Sequence, residues 1–167
     1  MTPPGAYWVL VTTFLEADVA DATPQRLLTE YFQERASTFP QAQGSYRTAF
    51  PDARQFVPPQ GVFLLVLDDG GAAIGCGGIR RLPGTPRTRY EVKHLWLAPS
   101  ARGRGLGRQL LAELERRADA FGAAEVVVDT NDSLAAAGGL YRSSGYESIP
   151  AYNDNPNATT WYRKALG

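Results

Sequence analysis

The chain has almost none of the residues that cross-link or metallate small proteins: its 167 residues include one cysteine, Cys76, and one histidine, His94. A lone cysteine forbids an intramolecular disulfide, so nothing demands an oxidising compartment. One histidine and one cysteine cannot supply a Cys/His zinc site, and no metal is expected. Net charge is missing too, because 17 Lys and Arg offset 17 Asp and Glu. A general nucleic-acid binder would carry a basic excess, so that class is set aside. There is no apolar run of membrane-spanning length, and no basic segment followed by an apolar core near Met1. The expectation is a cytoplasmic protein that works without membrane or nucleic acid. What is present, 44% hydrophobic and 11% aromatic residues, suffices to pack one domain over 1–167.

Strand and helix signals follow one another along that length. Tyr7 to Phe14 is aromatic and β-branched and predicts a first strand. Asp21-Ala22-Thr23-Pro24 reads as a helix start, with a capping residue ahead of proline at the first helical position. Leu27, Leu28, Tyr31 and Phe32 recur at helical spacing and carry that helix to about Ala36. Gln41 to Gln60 is polar and proline-rich, a long loop with room for a short helix. Val62 to Leu67 and Ala72 to Arg80 form a hairpin around Asp68-Asp69-Gly70-Gly71, and Tyr90 to Leu97 is the next strand. A helix from Leu106 places Leu110, Leu111, Leu114 and Ala118 on one face and ends at Gly122. Glu125 to Thr130 is a strand, and Asn131-Asp132-Ser133 offers caps for a helix to Ser143, closed by Gly145. Tyr146 to Pro150 and Thr159 to Ala165 complete the chain as a strand pair. The predicted order is β-α-β-β-β-α-β-α-β-β, a mixed α/β fold.

Between the strand ending at Leu97 and the helix opening at Leu106 lies Arg102-Gly103-Arg104-Gly105-Leu106-Gly107-Arg108. Glycines there let the backbone approach a ligand with its amide hydrogens outward. A helix N-terminus adds partial positive charge, and the arginines add whole charges. Eight of the 17 basic residues fall in this neighbourhood: Arg80, Arg81, Arg87, Arg89, Lys93, Arg102, Arg104 and Arg108. Such an arrangement binds phosphate. A Walker loop would need Lys followed by Ser or Thr, but Arg108-Gln109 stand there. A dinucleotide fingerprint would follow its strand directly and read GxGxxG; here the spacing is GxGxG, although Asp129 does end the next strand.

Arg102-x-x-Gly105-x-Gly107 resembles the pyrophosphate signature of the GNAT superfamily of N-acetyltransferases, and the ending, Tyr152-Asn153-Asp154-Asn155-Pro156 followed by Trp161-Tyr162-Arg163-Lys164-Ala165-Leu166, resembles its bacterial small-molecule members. Leu140-Tyr141-Arg142-Ser143-Ser144-Gly145-Tyr146 resembles that family's helix-to-strand signature, and the element order agrees along most of the chain, least well over 41–60. The resemblance implies a mostly antiparallel sheet whose central strands splay apart, flanked by helices, with acetyl-CoA as cofactor. It implies that Arg102 to Arg108 hold the pyrophosphate. Main-chain groups of Leu95, Trp96 and Leu97 would meet the pantetheine arm and the reacting carbonyl, with Leu97 the first choice. Asn131 matches a position that contacts the cofactor. Glu91 matches the general base, acting directly or through water, and Tyr141 matches the tyrosine that protonates the leaving thiolate.

Other candidates have plainer readings. Cys76, in a glycine-rich apolar strand, is expected in the core, and His94 is expected on the strand face opposite Glu91. The acceptor would be gripped by residues 28–60 and 152–157, which offer aromatic residues and the carboxylates Glu30, Glu34, Asp52 and Asp154. These would suit a cationic amine on an apolar body. The expected reaction moves an acetyl group to a primary amine of a small molecule. Two rivals are acetylation of a protein lysine or N-terminus, and a non-catalytic acyl-CoA-binding domain. Dimeric relatives allow a homodimer, for which the sequence itself shows no apolar stripe.

Overall fold

A computed structural model describes residues 12–167 of the protein. Strands β1 (Thr13–Glu16), β2 (Gly61–Leu67), β3 (Ala73–Leu82), β4 (Arg89–Leu97), β5 (Glu125–Thr130), β6 (Glu147–Ile149) and β7 (Thr160–Ala165) lie in one sheet, in the order β1-β2-β3-β4-β5-β7-β6. Helices α1 (Ala22–Thr38), α2 (Leu106–Ala120) and α3 (Ala135–Ser143) flank it, and short 3₁₀ turns occupy Gln41–Gln43, Ala53–Phe56 and Pro99–Ala101. No helix among the described residues is long and apolar enough to cross a membrane.

Local chemistry accounts for the turns. In the β2–β3 hairpin the Asp68 carboxylate accepts from the amides of Gly70 and Ala72, both at 2.9 Å, while Gly71 takes φ 81°. Helix α2 stops in a Schellman motif: Gly122 (φ 89°) donates to Asp119 and Ala123 to Ala118. Helix α3 stops the same way, with Gly145 (φ 92°) donating to Arg142 and Tyr146 to Tyr141. The second motif folds the Tyr146 ring back against Tyr141, with centroids 5.6 Å apart.

The core divides by strand alternation. Val62, Leu64 and Val66 of β2 face Leu110, Leu111, Leu114 and Ala118 of α2, whereas Phe63 and Leu65 face Leu27, Leu28 and Phe32 of α1. Each such buried side chain contributes about 1.5–3 kcal/mol. Cys76 lies in the second layer, fully buried, as its apolar setting requires.

Some helix starts differ from the sequence expectation. Asp21 does sit at the cap of α1, but its side chain makes no capping bond, and Pro24 is the third helical residue, buried against the sheet. Asn131 does not cap α3, whose N-cap is Leu134; the Asn131 side chain instead closes a turn by accepting from Ser133 at 3.1 Å. The described part of the first strand begins at Thr13 and runs to Glu16, and Tyr7 to Val11 lie outside the described residues.

One pairing positions everything that follows. β4 and β5 are parallel and are matched only at Arg89↔Glu125, Tyr90↔Val126 and Glu91↔Val127. Beyond those pairs the strands continue to Leu97 and Thr130 without pairing to each other, so the sheet opens into a cleft. This is the splay that the resemblance implied.

Candidate active site

The cleft begins with an irregularity in β4. Lys93 pairs with Gly78 and Trp96 with Cys76, which leaves His94 and Leu95 opposite Gly77 alone. The extra residue makes a β-bulge, and His94 absorbs it at φ 56°. Gly77 leaves room for α2 beneath the bulge: a Cβ there would lie 3.2 Å from the Leu114 side chain and in ordinary contact, at 3.5 Å, with Leu95 Cα. Alternation is broken as a result: the His94 ring joins Tyr31 and Phe32 on the α1 side of the sheet, where Lys93 also lies, while Leu95 packs on the α2 side, and both residues border the cavity in the cleft. His94 therefore is not turned away from the site as strict alternation predicts. Its ring packs edge-on against Tyr31 and Phe32, each 5.5 Å away, and its Nδ1 is buried without a hydrogen-bond partner among the described residues. Burial pushes the imidazole pKa down to about 3, with Lys93 and Arg80 acting in the same direction. The ring is neutral at physiological pH.

The glycine loop follows the C-terminal end of β4. Gly103 (φ 78°) and Gly105 (φ 76°) both adopt the left-handed conformation, and no side chain caps α2. The amide of Arg102 donates back to Pro99 and that of Gln109 to Gly105. Between them, the amides from Gly103 to Arg108 have no acceptor among the described residues. This row of free donors at a helix N-terminus suits a diphosphate. The arginines are not equivalent. Arg102 turns toward α1, giving Nε to the Leu97 carbonyl at 3.0 Å and an amino nitrogen to Glu34 at 2.7 Å. Arg108 donates to the Ser143 and Ser144 hydroxyls at the end of α3, and Arg104 stays exposed. Leu106 is buried, and Gly107 faces Leu97 and Leu140. Trp96 is buried in the core, its indole N–H held by Glu34 at 2.9 Å, so only its main chain is available to a ligand.

The cavity beside the bulge measures about 550 Å³ and is bordered by His94 and Leu95 rather than by the glycine loop. Tyr141 lines it, and its phenol hydrogen-bonds to no described residue. Burial raises the Tyr141 pKa, so the hydroxyl keeps its proton. Glu91 is placed otherwise than as a carboxylate facing the acceptor. It is fully buried, is not among the cavity's lining residues, and has both oxygens engaged. Oε1 takes two donors from Arg80, at 2.9 and 3.0 Å, and Oε2 takes the Tyr152 hydroxyl at 2.6 Å. Lys93, two residues on along the same strand, lies 3.8 Å from Glu91 but pairs more closely with Asp129, at 2.9 Å.

Asp129 is the carboxylate that reaches the cavity wall. It accepts from Lys93, from Asn153 at 2.8 Å and from Asn155 at 3.0 Å. Burial alone would raise its pKa, yet Lys93 and the two amides bring it below the usual carboxylate range. Read as sequence, 153–157 is a turn; its asparagines in fact build the site. Asn157 clasps the backbone of Arg47 at both ends, accepting from its amide at 2.9 Å and donating to its carbonyl at 2.8 Å. Asn131 donates to Gln43 at 2.7 Å and to the Asn157 carbonyl at 3.1 Å, so it joins the same clasp. The alternation of asparagines at 153, 155 and 157 was the available signal: Asn153 and Asn155 each cap a backbone turn and still have an amide to spare, and Asn157 spends its whole amide on Arg47.

The acetyltransferase (GNAT) family model matches residues 25–146. Over 111 residues the chain is 32% identical to an uncharacterized N-acetyltransferase of Schizosaccharomyces pombe, which covers 66% of this chain and 67% of that one. It is 41% identical over 80 residues to the N-alpha-acetyltransferase RimI of Mycobacterium tuberculosis, covering 48% of this chain and 49% of RimI. The fold matches yncA of Salmonella typhimurium, an acetyltransferase solved with its cofactor acetyl-CoA, with a TM-score of 0.66 at 20% identity, covering 94% of this chain and 95% of that one. The chain belongs to the GNAT family of acetyltransferases. It is an acyltransferase, and acetyl-CoA is its cofactor. The free amides at 103–108 and the cleft leading from them are the features that fit a long ligand with a diphosphate at one end.

Proposed function

We propose that the protein acetylates a primary amine of a small molecule by direct transfer within a ternary complex. The observation that carries the small-molecule reading is the clasp between Asn157 and Arg47. It joins the 41–56 segment to the loop before β7, and both line the cavity. An extended peptide would have to part them. RimI is named for N-alpha acetylation, which keeps protein N-termini as the second reading. A binding-only domain would leave unexplained the Tyr141 hydroxyl facing the cavity without a protein partner.

Acetyl-CoA supplies an activated acetyl group, and the chain's residues arrange its transfer. The 103–108 amides hold the diphosphate, and main-chain groups from the bulge at Leu95 to Leu97 line the path of the arm and the reacting carbonyl. Arg102 acts mainly by tying Leu97 to α1 through Glu34. Tyr141 donates its proton to the departing sulfur. The only cysteine, Cys76, is buried with its pKa pushed up to about 12 by desolvation, which favours direct transfer over an acyl-cysteine.

Free alkyl amines titrate near ~10, so the bound amine must lose a proton. Glu91 takes it by relay through water: neither Glu91 nor Tyr152 lines the cavity, so water carries the proton to the Tyr152 oxygen, which passes its own to Glu91 Oε2 across the 2.6 Å hydrogen bond. Asp129, held by Lys93, fixes the cavity side of this network. The test is release of free thiol from acetyl-CoA with a panel of amines and a panel of peptides. Turnover confined to amines supports the reading, and turnover confined to peptides overturns it. Glu91→Gln and Tyr152→Phe should lose kcat/KM alike, most at low pH; equal loss at every pH would remove the relay.

A further inference from the structure

Six charged side chains line the cavity: Arg35, Arg47, Arg80, Lys93, Asp52 and Asp129. Most are matched within the protein. Arg80 is paired with Glu91 and Lys93 with Asp129, each at 2.9 Å, and Asp52 is held by Arg54 at 2.8 Å. The carboxylates that the sequence offered for a cationic acceptor are spent or misplaced. Glu30 pairs with Arg26, Glu34 is taken by Arg102 and Trp96, and neither they nor Asp154 line the cavity.

Arg35 is the exception among the cations that the fold encloses. Its side chain is only 18% exposed and lies over the Tyr31 ring at 5.2 Å. Its nearest carboxylate is Glu34 at 3.9 Å, too far for a hydrogen bond and already occupied. Among the described residues the guanidinium therefore has no acceptor, although most of the side chain is covered. A cation so placed is costly unless an anion meets it. Arg47 adds a second cation at the rim, its main chain fixed by the Asn157 clasp and its side chain in no ion pair among the described residues.

We propose that the acceptor is an amine that carries its own carboxylate, of the amino-acid type, with the carboxylate held by Arg35 and Arg47 inside the cavity. This rests on the small-molecule reading of the site. A guanidinium offers parallel N–H donors that match both carboxylate oxygens. Tyr31, Phe32, Tyr46 and Phe50 also line the cavity and give the body of the acceptor an apolar, aromatic wall. With no unmatched carboxylate on that wall, polyamines and other purely cationic amines fit poorly.

The test uses three matched acceptors with the full chain: phenylalanine, phenylalaninamide and 2-phenylethylamine. The amino acid should be acetylated with a kcat/KM about 10- to 100-fold above the other two, the factor expected of charge-assisted hydrogen bonds. Arg35→Gln should erase that preference and Arg35→Lys should keep part of it, while calorimetric titration gives an unchanged Kd for acetyl-CoA in both. Equal use of all three acceptors, or a better rate with 2-phenylethylamine, overturns the proposal. A weakened acetyl-CoA Kd in Arg35→Gln also overturns it, because the anion would then belong to the cofactor. If no small amine is acetylated, the small-molecule reading has failed separately. Titration of 3-phenylpropanoate into CoA-saturated protein then decides the carboxylate site: binding lost in Arg35→Gln upholds it, and no binding overturns it.

Discussion

The two ends of the cleft are built on opposite plans. At the end proposed for the diphosphate the free groups are main-chain amides, exposed by two left-handed glycines and a helix that no side chain caps. At the end proposed for the acceptor they are side chains, drawn from α1, the 41–56 segment, the bulge, β5 and the loop before β7. Main-chain recognition needs only a backbone shape, so a few glycines at fixed spacing suffice to encode it. Side-chain recognition is assembled by tertiary structure from residues far apart in the chain, such as Arg47 and Asn157. Within one fold, the first end can serve one cofactor while the second varies with the acceptor.

The largest effect should come from spoiling the main-chain end. Gly105→Asp sets a carboxylate among the phosphate-facing amides and a side chain at φ 76°. Calorimetry should show acetyl-CoA binding weakened at least ~100-fold; binding within a few-fold of the parent would show that the loop does not hold the diphosphate. Next is Tyr141→Phe, which removes a hydroxyl that no described residue holds. It should lower kcat about 100-fold or more with the unfolding free energy moved by less than about 0.5 kcal/mol. An unchanged kcat would move the acid elsewhere.

The acceptor end should be softer. Asn157→Ala opens the clasp on Arg47 and should raise the acceptor KM by about 10-fold, leaving acetyl-CoA affinity alone. Equal losses of both would mean that the two ends are not separable. The smallest effect concerns pH and stability. In the folded protein the His94 pKa lies near 3, below its ordinary value of 6.5, because burial, Lys93 and Arg80 outweigh Asp129. Its contribution is thus present above about pH 6.5 and is lost as pH falls toward 3. Denaturant melts at pH 7 and pH 5 should show a smaller drop for His94→Gln than for the parent, and an equal drop would place that sensitivity in other groups.

The same division explains what could be read in advance. The strand and helix order followed from apolar period and from turn residues, because those signals are local. The left-handed turns of the glycine loop and the place of Tyr141 beside the cavity were legible for a related reason: each is a short segment whose geometry is fixed nearby, Tyr141 by the Gly145 turn that closes α3. The bulge was not legible. Alternation assigns faces by counting, and the extra residue at His94 breaks the count. Gly77, a glycine inside a strand, was its one local trace. Glu91 shows a further limit, since the sequence gives a residue's position along a strand but not the arginine and tyrosine that enclose it. Asp129 was singled out as the end of a strand. Its role at the cavity wall depends on Asn153 and Asn155 arriving from another loop.

The three matched pairs between β4 and β5 also leave the sheet with a seam. On one side β1 to β4 hang together, and on the other β5 to β7, with little main-chain bonding between the halves. Acetyl-CoA laid along that seam would act as a strand the chain does not encode, and folding would become linked to its concentration. At a hundred times the dissociation constant the gain is about 2.7 kcal/mol, enough to read as several degrees of melting temperature. The resistance of the protein to unfolding would then report how much of it is charged with its acetyl donor.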